Sequence, residues 1–238
     1  MPEKKTTGSY LVCLKKRCFW FITILLVCLC TFLFSCSGEN YIIFEEEVFS
    51  NNYEYVDLGL PSGLLWAKCN VGALSPEKHG SYYAWGETKA KSSYTYDTYE
   101  LWNKYMNFGK DILDSEDDVA RVMWGDEWRI PTIDEWEELY SNCSWIWTKQ
   151  DGVDGYRIES KVNGCSIFLP AGNRKTARSE NNWVGKDGFY WSSTINNDNR
   201  YCAGGLSFNS SEILVNSRSV YRAEGRCVRP VFADNRKK

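Results

Sequence analysis

WRIPTIDEWEEL, residues 128–139, is the stretch on which the fold turns. Thr132 followed three positions later by Glu135 is a capping box: the hydroxyl accepts an amide at the helix start, and the carboxylate reaches back to the Thr132 N–H. From there Ile133, Trp136, Leu139 and Tyr140 fall on one helical face. The pattern predicts a helix whose Trp136 face is buried against a sheet, with Arg129 held by acidic or carbonyl partners. Just upstream, Asp114-Ser115-Glu116-Asp117-Asp118 precedes Val119-Ala120-Arg121-Val122. Acids at a helix start satisfy free amides and the positive end of the dipole. A calcium loop is the sharper alternative for clustered carboxylates, but the spacing fits no EF-hand, and a helix start is expected.

On either side of this helical centre the pattern is β. Tyr55-Val56-Asp57-Leu58 alternates as a strand, Gly59 to Gly63 carries turn chemistry, and Leu64 to Cys69 reads as the returning strand. Ser81 to Trp85 reads as a short aromatic strand, and the tyrosine-rich, aperiodic Lys89 to Asn107 as a long surface excursion. Past the helix, strands are expected at Trp145–Lys149, Gly155–Lys161 and Ser166–Leu169, separated by the hairpin signals Asp151-Gly152 and Asn163-Gly164. Gly188–Thr194, Tyr201–Phe208, Glu212–Asn216 and Gly225–Phe232 complete the series. Two helices followed by many short strands describe an α+β domain with a largely antiparallel sheet.

The amino terminus has a different character. Lys15-Lys16-Arg17 flanks the apolar run Phe19 to Phe34, and Leu33-Phe34-Ser35-Cys36 follows, leading into polar sequence. A basic flank, a short apolar core and a small residue before the cut describe a secretory signal peptide. A cysteine at that point resembles the lipobox of bacterial lipoproteins, in which the thiol is acylated and the chain is cut before it. An uncleaved spanning helix is the competing reading. However, sixteen residues at about 1.5 Å each reach roughly 24 Å, short of the ~30 Å hydrocarbon core. The expected organisation is a signal at 1–35, lipidation at Cys36, a polar tether over 36–52, a domain over 53–233 and a basic tail at 234–238. This places the protein on the bacterial envelope, in or on the outer membrane, facing the periplasm or the cell surface.

The chain after residue 35 holds 23 basic and 30 acidic residues, net −7, with no basic block beyond Arg236-Lys237-Lys238. Nucleic acid is therefore excluded as a partner class. Ten tryptophans lie in this part, enough for a well-filled core. Cysteines 69, 143, 165, 202 and 227 follow Cys36, with no CxxC pair and His79 as the one histidine, so neither a zinc site nor a Ser/His/Asp set is indicated. Glu135, Glu137 and Glu138 offer carboxylates for glycoside chemistry, but on a capped helix they read as one cap and two exposed acids.

Taken in order, EYVDLGLPSGLLWAKCNVGA (54–73), YYAWGET (82–88), EDDVARVMWGDEWRIPTIDEWEEL (116–139), NGCSIFLPAGNR (163–174), GFYWSST (188–194) and GRCVRPV (225–231) resemble the Fibrobacter succinogenes major paralogous domain. The WRIPTIDEWEEL segment is also similar to the helix entry of formylglycine-generating enzymes and C-type-lectin-like domains. The resemblance implies a C-type-lectin-like fold and no established activity. It also makes an enzyme related to the sulfatase-modifying oxidases an alternative. Those enzymes use a close cysteine pair near the C-terminus, whereas the matching Cys227 has Cys202 as its nearest upstream cysteine. A lectin-like fold could set Cys202 and Cys227 side by side, as a bridge or as two isolated buried thiols. Calcium-dependent sugar binding would need Glu-Pro-Asn or Gln-Pro-Asp and Trp-Asn-Asp strings, which do not occur, so no cofactor is expected.

The remaining class is capture of a ligand by displayed loops. Thr194–Arg200 and Asn216–Arg222 are rich in Asn, Ser, Arg and Tyr, residues that make adaptable contacts; the same residues also make ordinary turns. The expected reading is a lipid-anchored binding or structural module without catalysis. It would contact a protein or glycan through Asn196, Asn197, Asn199, Arg200, Arg218, Tyr221 and Arg222. A calcium-independent lectin is a further form of the same reading.

Overall fold

Thr132 caps the principal helix as the capping box requires. In the computed structural model, which describes residues 53–107, 109–177, 185–215 and 220–233, its hydroxyl accepts from Glu135 N at 3.3 Å, and Glu135 returns a carboxylate oxygen to Thr132 N at 2.8 Å. The helix, α2, runs Ile133–Asn142, with Ile133, Trp136 and Leu139 buried. Tyr140 does not share that face: it is 46% exposed and leans on Trp145. Arg129 grips Glu135 through both terminal guanidinium nitrogens, one of them at 2.7 Å. The cap carboxylate is thus also the acidic partner expected for Arg129. Asp118 starts the shorter helix α1 (Val119–Trp124), accepting from Ala120 N and Arg121 N, and it also takes Ile130 N at 2.8 Å.

Among the described residues the strands form three antiparallel sheets. The first orders β1 (Tyr55–Asp57), β2 (Leu65–Ala67), β11 (Val231–Phe232) and β3 (Trp128–Arg129) as β1-β2-β11-β3. The second orders β4 (Cys143–Gln150), β5 (Val153–Ser160) and β6 (Ser166–Pro170) consecutively. The third orders β10 (Val220–Tyr221), β8 (Cys202–Phe208) and β7 (Gly188–Ile195) as β10-β8-β7, with β9 (Ile213–Leu214) also on β8. This is the α+β, antiparallel architecture expected. One core gathers Trp66 and Trp136, 4.7 Å apart, with Ile158, Leu169, Tyr190 and Leu206, so that α2 and strands of all three sheets share it. A second collects Trp85, Tyr105, Val119, Ile130, Trp191 and Ile195.

Three segments depart from expectation. Lys89–Asn107 is no surface excursion, because Tyr94, Tyr99 and Tyr105 are buried in it. Each buried hydroxyl satisfies an irregular stretch: Tyr94 donates to Tyr82 O, Tyr99 to Trp85 O at 2.7 Å, and Tyr105 to Asp117 while accepting from Asp114 N. Residues 81–85 and 225–230 are not continuous strands; they meet through a single bridge, Tyr83 to Arg226, while Cys227 bridges to Tyr190 of β7. The carboxylates at 114–117 gather around an ammonium: Lys104 Nζ lies 2.7 Å from Asp117, 3.0 Å from Glu116 and 3.7 Å from Asp114. Those acids raise the Lys104 pKa to about 12, the hydrogen bond to Asp117 being the largest cause.

Among the described residues no helix is long and apolar enough to cross a membrane. The leader at 1–35, Cys36, the tether, Arg218 and the tail at 234–238 lie outside the described residues.

Candidate functional site

The β7–β8 connection, Asn196 to Tyr201, is a loop whose side chains hold its own backbone. Asn196 Oδ1 accepts from Asp198 N at 2.9 Å and Asn199 N at 3.2 Å, and Asn199 Oδ1 accepts from Tyr201 N at 3.1 Å. Asn196 N donates to Cys202 O at 3.1 Å, which closes the loop at its base. Arg200 is buried beneath it, donating to Asn197 Oδ1 at 2.7 Å, to Lys110 O at 3.1 Å and to Asn107 O. Asn197 in turn donates to Asp111 Oδ1 at 3.0 Å. The loop is therefore pinned to Asn107, Lys110 and Asp111.

One side of this loop forms a groove of about 280 Å³ with the first turn of α2, lined by Ile133, Asp134, Glu137, Thr194, Ile195, Asn196, Asn197, Asp198 and Gly204. Gly204 makes the close approach of α2 to β8 possible: a Cβ there would lie 2.7 Å from Ile133 Cγ1. Ile133 N donates to Thr194 Oγ1 at 3.1 Å, which locks the helix start onto β7. The groove thus has an apolar strip between carboxylates and amides. It can accept and donate hydrogen bonds to hydroxyls, but its lining holds no thiol and no imidazole. The other two acids of α2 are committed elsewhere. Glu135 holds Arg129, and Glu138 accepts from Ser62 N at 2.8 Å and Ser62 Oγ at 2.6 Å. Of the three glutamates on this helix only Glu137 faces the groove, beside Asp134.

The far end of the same loop carries rings. Tyr201 is 45% exposed and lies 5.7 Å from half-buried Trp102, which stacks on Tyr96 at 4.4 Å; Tyr96 is 62% exposed. Trp102 Nε1 donates to Tyr96 O at 2.8 Å, fixing the pair. Beneath them Arg222 is wholly buried, contrary to the expectation that it is a surface contact. Its guanidinium faces the rings of Trp85, Tyr99 and Trp102 at 5.3 to 5.8 Å and donates to Trp102 O at 3.0 Å and Leu101 O at 3.4 Å. A weakly hydrated, planar cation can be buried on aromatic faces in this way. Of the residues expected to form a contact surface, Asn197, Asn199 and Tyr221 are exposed, Asn196 and Arg200 build the loop, and Arg222 supports the rings.

Two further buried arginines escaped the sequence reading. Arg226 lies between the Phe189 and Trp191 rings and meets Glu224 at 3.2 Å, and burial lowers its pKa to about 10. Arg229 donates to Asn70 Oδ1 and to the carbonyls of Ala67, Lys68 and Phe168 at 2.7 to 3.0 Å. The one available signal for Arg226 was the density of aromatic rings able to face a guanidinium; nothing local marked Arg229.

Cys202 and Cys227 are not bridged; both carry free thiols. Cys227 pairs with Tyr190 on β7, whose partner across β7–β8 is Leu206, four residues from Cys202. That is about 13 Å along the strand, well beyond the roughly 7 Å limit between bridged Cα atoms. Burial pushes the Cys227 thiol up to about 12, so it is neutral at ordinary pH and a poor nucleophile or metal ligand. Iodoacetamide should therefore leave Cys227 unmodified in the native chain and alkylate it only after unfolding. Rapid native labelling of Cys227, read by peptide mass spectrometry, would contradict this placement.

The chain matches no known family model, no curated protein and no solved structure.

Proposed function

We propose that the protein is a lipid-anchored, extracytoplasmic binding module of C-type-lectin-like arrangement that holds a glycan without calcium. The anchor rests on the Lys15–Arg17 flank, the Phe19–Phe34 run and Cys36. The observation that carries the binding reading is the Asn196–Tyr201 loop, with a carboxylate- and amide-lined groove at one end and the Tyr201–Trp102–Tyr96 rings at the other. A sugar ring has an apolar C–H face suited to stacking on an aromatic ring and a rim of hydroxyls suited to Asp and Asn. Recognition sites of this kind join apolar contact area to a few placed polar groups. The loop is held by its own side-chain hydrogen bonds and by Arg200, so little ordering entropy remains to be lost on binding.

Affinity electrophoresis of the full chain against a β-glucan, a xylan, a mannan and a galactan tests this. Retardation in at least one gel is expected. Tyr201→Ala and Asp198→Ala, at exposed positions, should each weaken the retardation at least ~5-fold, the equivalent of about 1 kcal/mol, and leave the melting temperature unchanged. Migration indifferent to every polysaccharide, or retardation indifferent to both substitutions, would defeat the glycan reading. If an immobilised protein partner were instead bound through Tyr221, the module reading would stand with a different ligand.

A further inference from the structure

β4 is an eight-residue strand at the end of its sheet, paired on one side only among the described residues. Which backbone groups it leaves open follows from the hairpin. Asp151 (φ 46°) and Gly152 (φ 83°) make a two-residue turn with both φ positive, the type I′ geometry. Such a turn closes on a hydrogen-bonded pair, here Gln150 with Val153. Gln150 therefore points its N–H and C=O at β5, and by alternation so do Thr148, Ile146 and Ser144. Asn142 O, next in that series, accepts from Lys161 N. The N–H and C=O of Trp145, Trp147 and Lys149 face away from β5, and among the described residues no backbone hydrogen bond reaches them from that side.

Natural sheets blunt such edges with proline, bulges, short strands or central charge. β4 has no proline and pairs with β5 in unbroken register over all eight residues, and its one charge, Lys149, sits near the turn. Midway along the strand Ile146 is 41% exposed. The sequence around it is nearly symmetric: Ser144-Trp145-Ile146-Trp147-Thr148 reads the same in both directions by residue class.

We infer that the free edge of β4 is a self-association surface, and that two copies of this chain pair antiparallel about a two-fold axis through Ile146. In that register Trp145 faces Trp147 of the second copy in both directions, and each such pair exchanges two ladder hydrogen bonds through the groups left open. Ile146 meets its own counterpart at a non-hydrogen-bonded position, where side chains come closest. Ser144 falls opposite Thr148. Aromatic pairs and Ser/Thr pairs across strands are the favourable combinations, and a self-complementary patch on a two-fold axis is the commonest form of closed assembly. The two three-stranded sheets become one of six strands, which removes the open edge. The loop at Asn196–Tyr201 belongs to another sheet, so this inference does not depend on the ligand proposed above.

Sedimentation velocity of the full chain in detergent solution, across a dilution series, reads the outcome. A concentration-dependent dimer is expected, with Ile146→Lys shifting it to monomer by placing two ammonium groups face to face. Mixing Ile146→Lys with Ile146→Glu should restore a dimer that neither forms alone. Independently of any variant, the Trp145 and Trp147 amides of the parent should exchange with deuterium more slowly as concentration rises. A parent that is monomeric throughout, a dimer unaffected by Ile146→Lys, or concentration-independent exchange at both amides would overturn the inference.

Discussion

Replacing Arg229 with methionine is expected to destabilise the domain by at least ~4 kcal/mol, enough to leave much of the chain unfolded. The guanidinium is wholly buried and joins the end of β2 to β6, donating to Ala67 O at 3.0 Å, Lys68 O at 2.9 Å and Phe168 O at 2.8 Å, as well as to Asn70 Oδ1 at 2.7 Å. Methionine fills much of the volume and donates nothing, so four oxygens lose their donor. Each buried acceptor left unsatisfied costs about 1–3 kcal/mol, against a typical net stability of about 5–15 kcal/mol. No carboxylate lies among its hydrogen-bond partners, and burial alone pulls its pKa down. The role is therefore donation to carbonyls, not ion pairing. Arg229→Lys should recover part of the loss, because an ammonium has three donors and cannot span the same fork. Urea denaturation measures both variants; a loss below ~1 kcal/mol for the methionine variant would contradict the clamp.

Trp136→Ala should cost about 3–5 kcal/mol, the range for emptying a buried tryptophan site. The ring is fully enclosed, 4.7 Å from Trp66 and 6.0 Å from Tyr190, and its Nε1 donates to Trp191 O at 3.3 Å. It is the point where α2 meets strands of two sheets, so the cavity cannot collapse without moving both. Thermal melting reads the effect, and a variant within a degree or two of the parent would show that the helix does not pack on this core.

The contrast between these two residues shows what the chain discloses before it is folded. Trp136 was legible because a capping box and a helical stripe are local signals: Thr132, Glu135 and the Ile133–Trp136–Leu139 spacing all lie within ten residues. The hairpins were legible for the same reason, since Asp151-Gly152 carries the positive φ values that its turn demands. Arg229 was not legible. Its partners are Asn70, Ala67, Lys68 and Phe168, more than sixty residues away in sequence, and an arginine read locally looks the same whether it faces water or a cluster of carbonyls. Arg222 misled in the same way, reading as a contact residue while serving as the support under Trp102. Tyr94, Tyr99 and Tyr105 were hidden by the lack of period in an irregular segment that buries rings and spends their hydroxyls on nearby backbone and carboxylate groups.

The candidate site was half legible. Asn196, Asn197 and Asn199 marked a loop by composition, and the loop is there. What composition could not supply was its setting: the contribution of Asp134 and Glu137 from α2, sixty residues earlier, and of Tyr96 and Trp102 from a segment read as surface. The candidate site depends on that long-range assembly more than on any short motif.

Hydrogen–deuterium exchange of the full chain, with and without whichever polysaccharide retards it, tests the binding-module account most directly. The account predicts slowed exchange confined to the Asp198, Asn199 and Tyr201 amides and to the segment around Trp102, with the β4–β6 sheet unchanged. Slowed exchange at a different surface, with these amides unaffected, would contradict it.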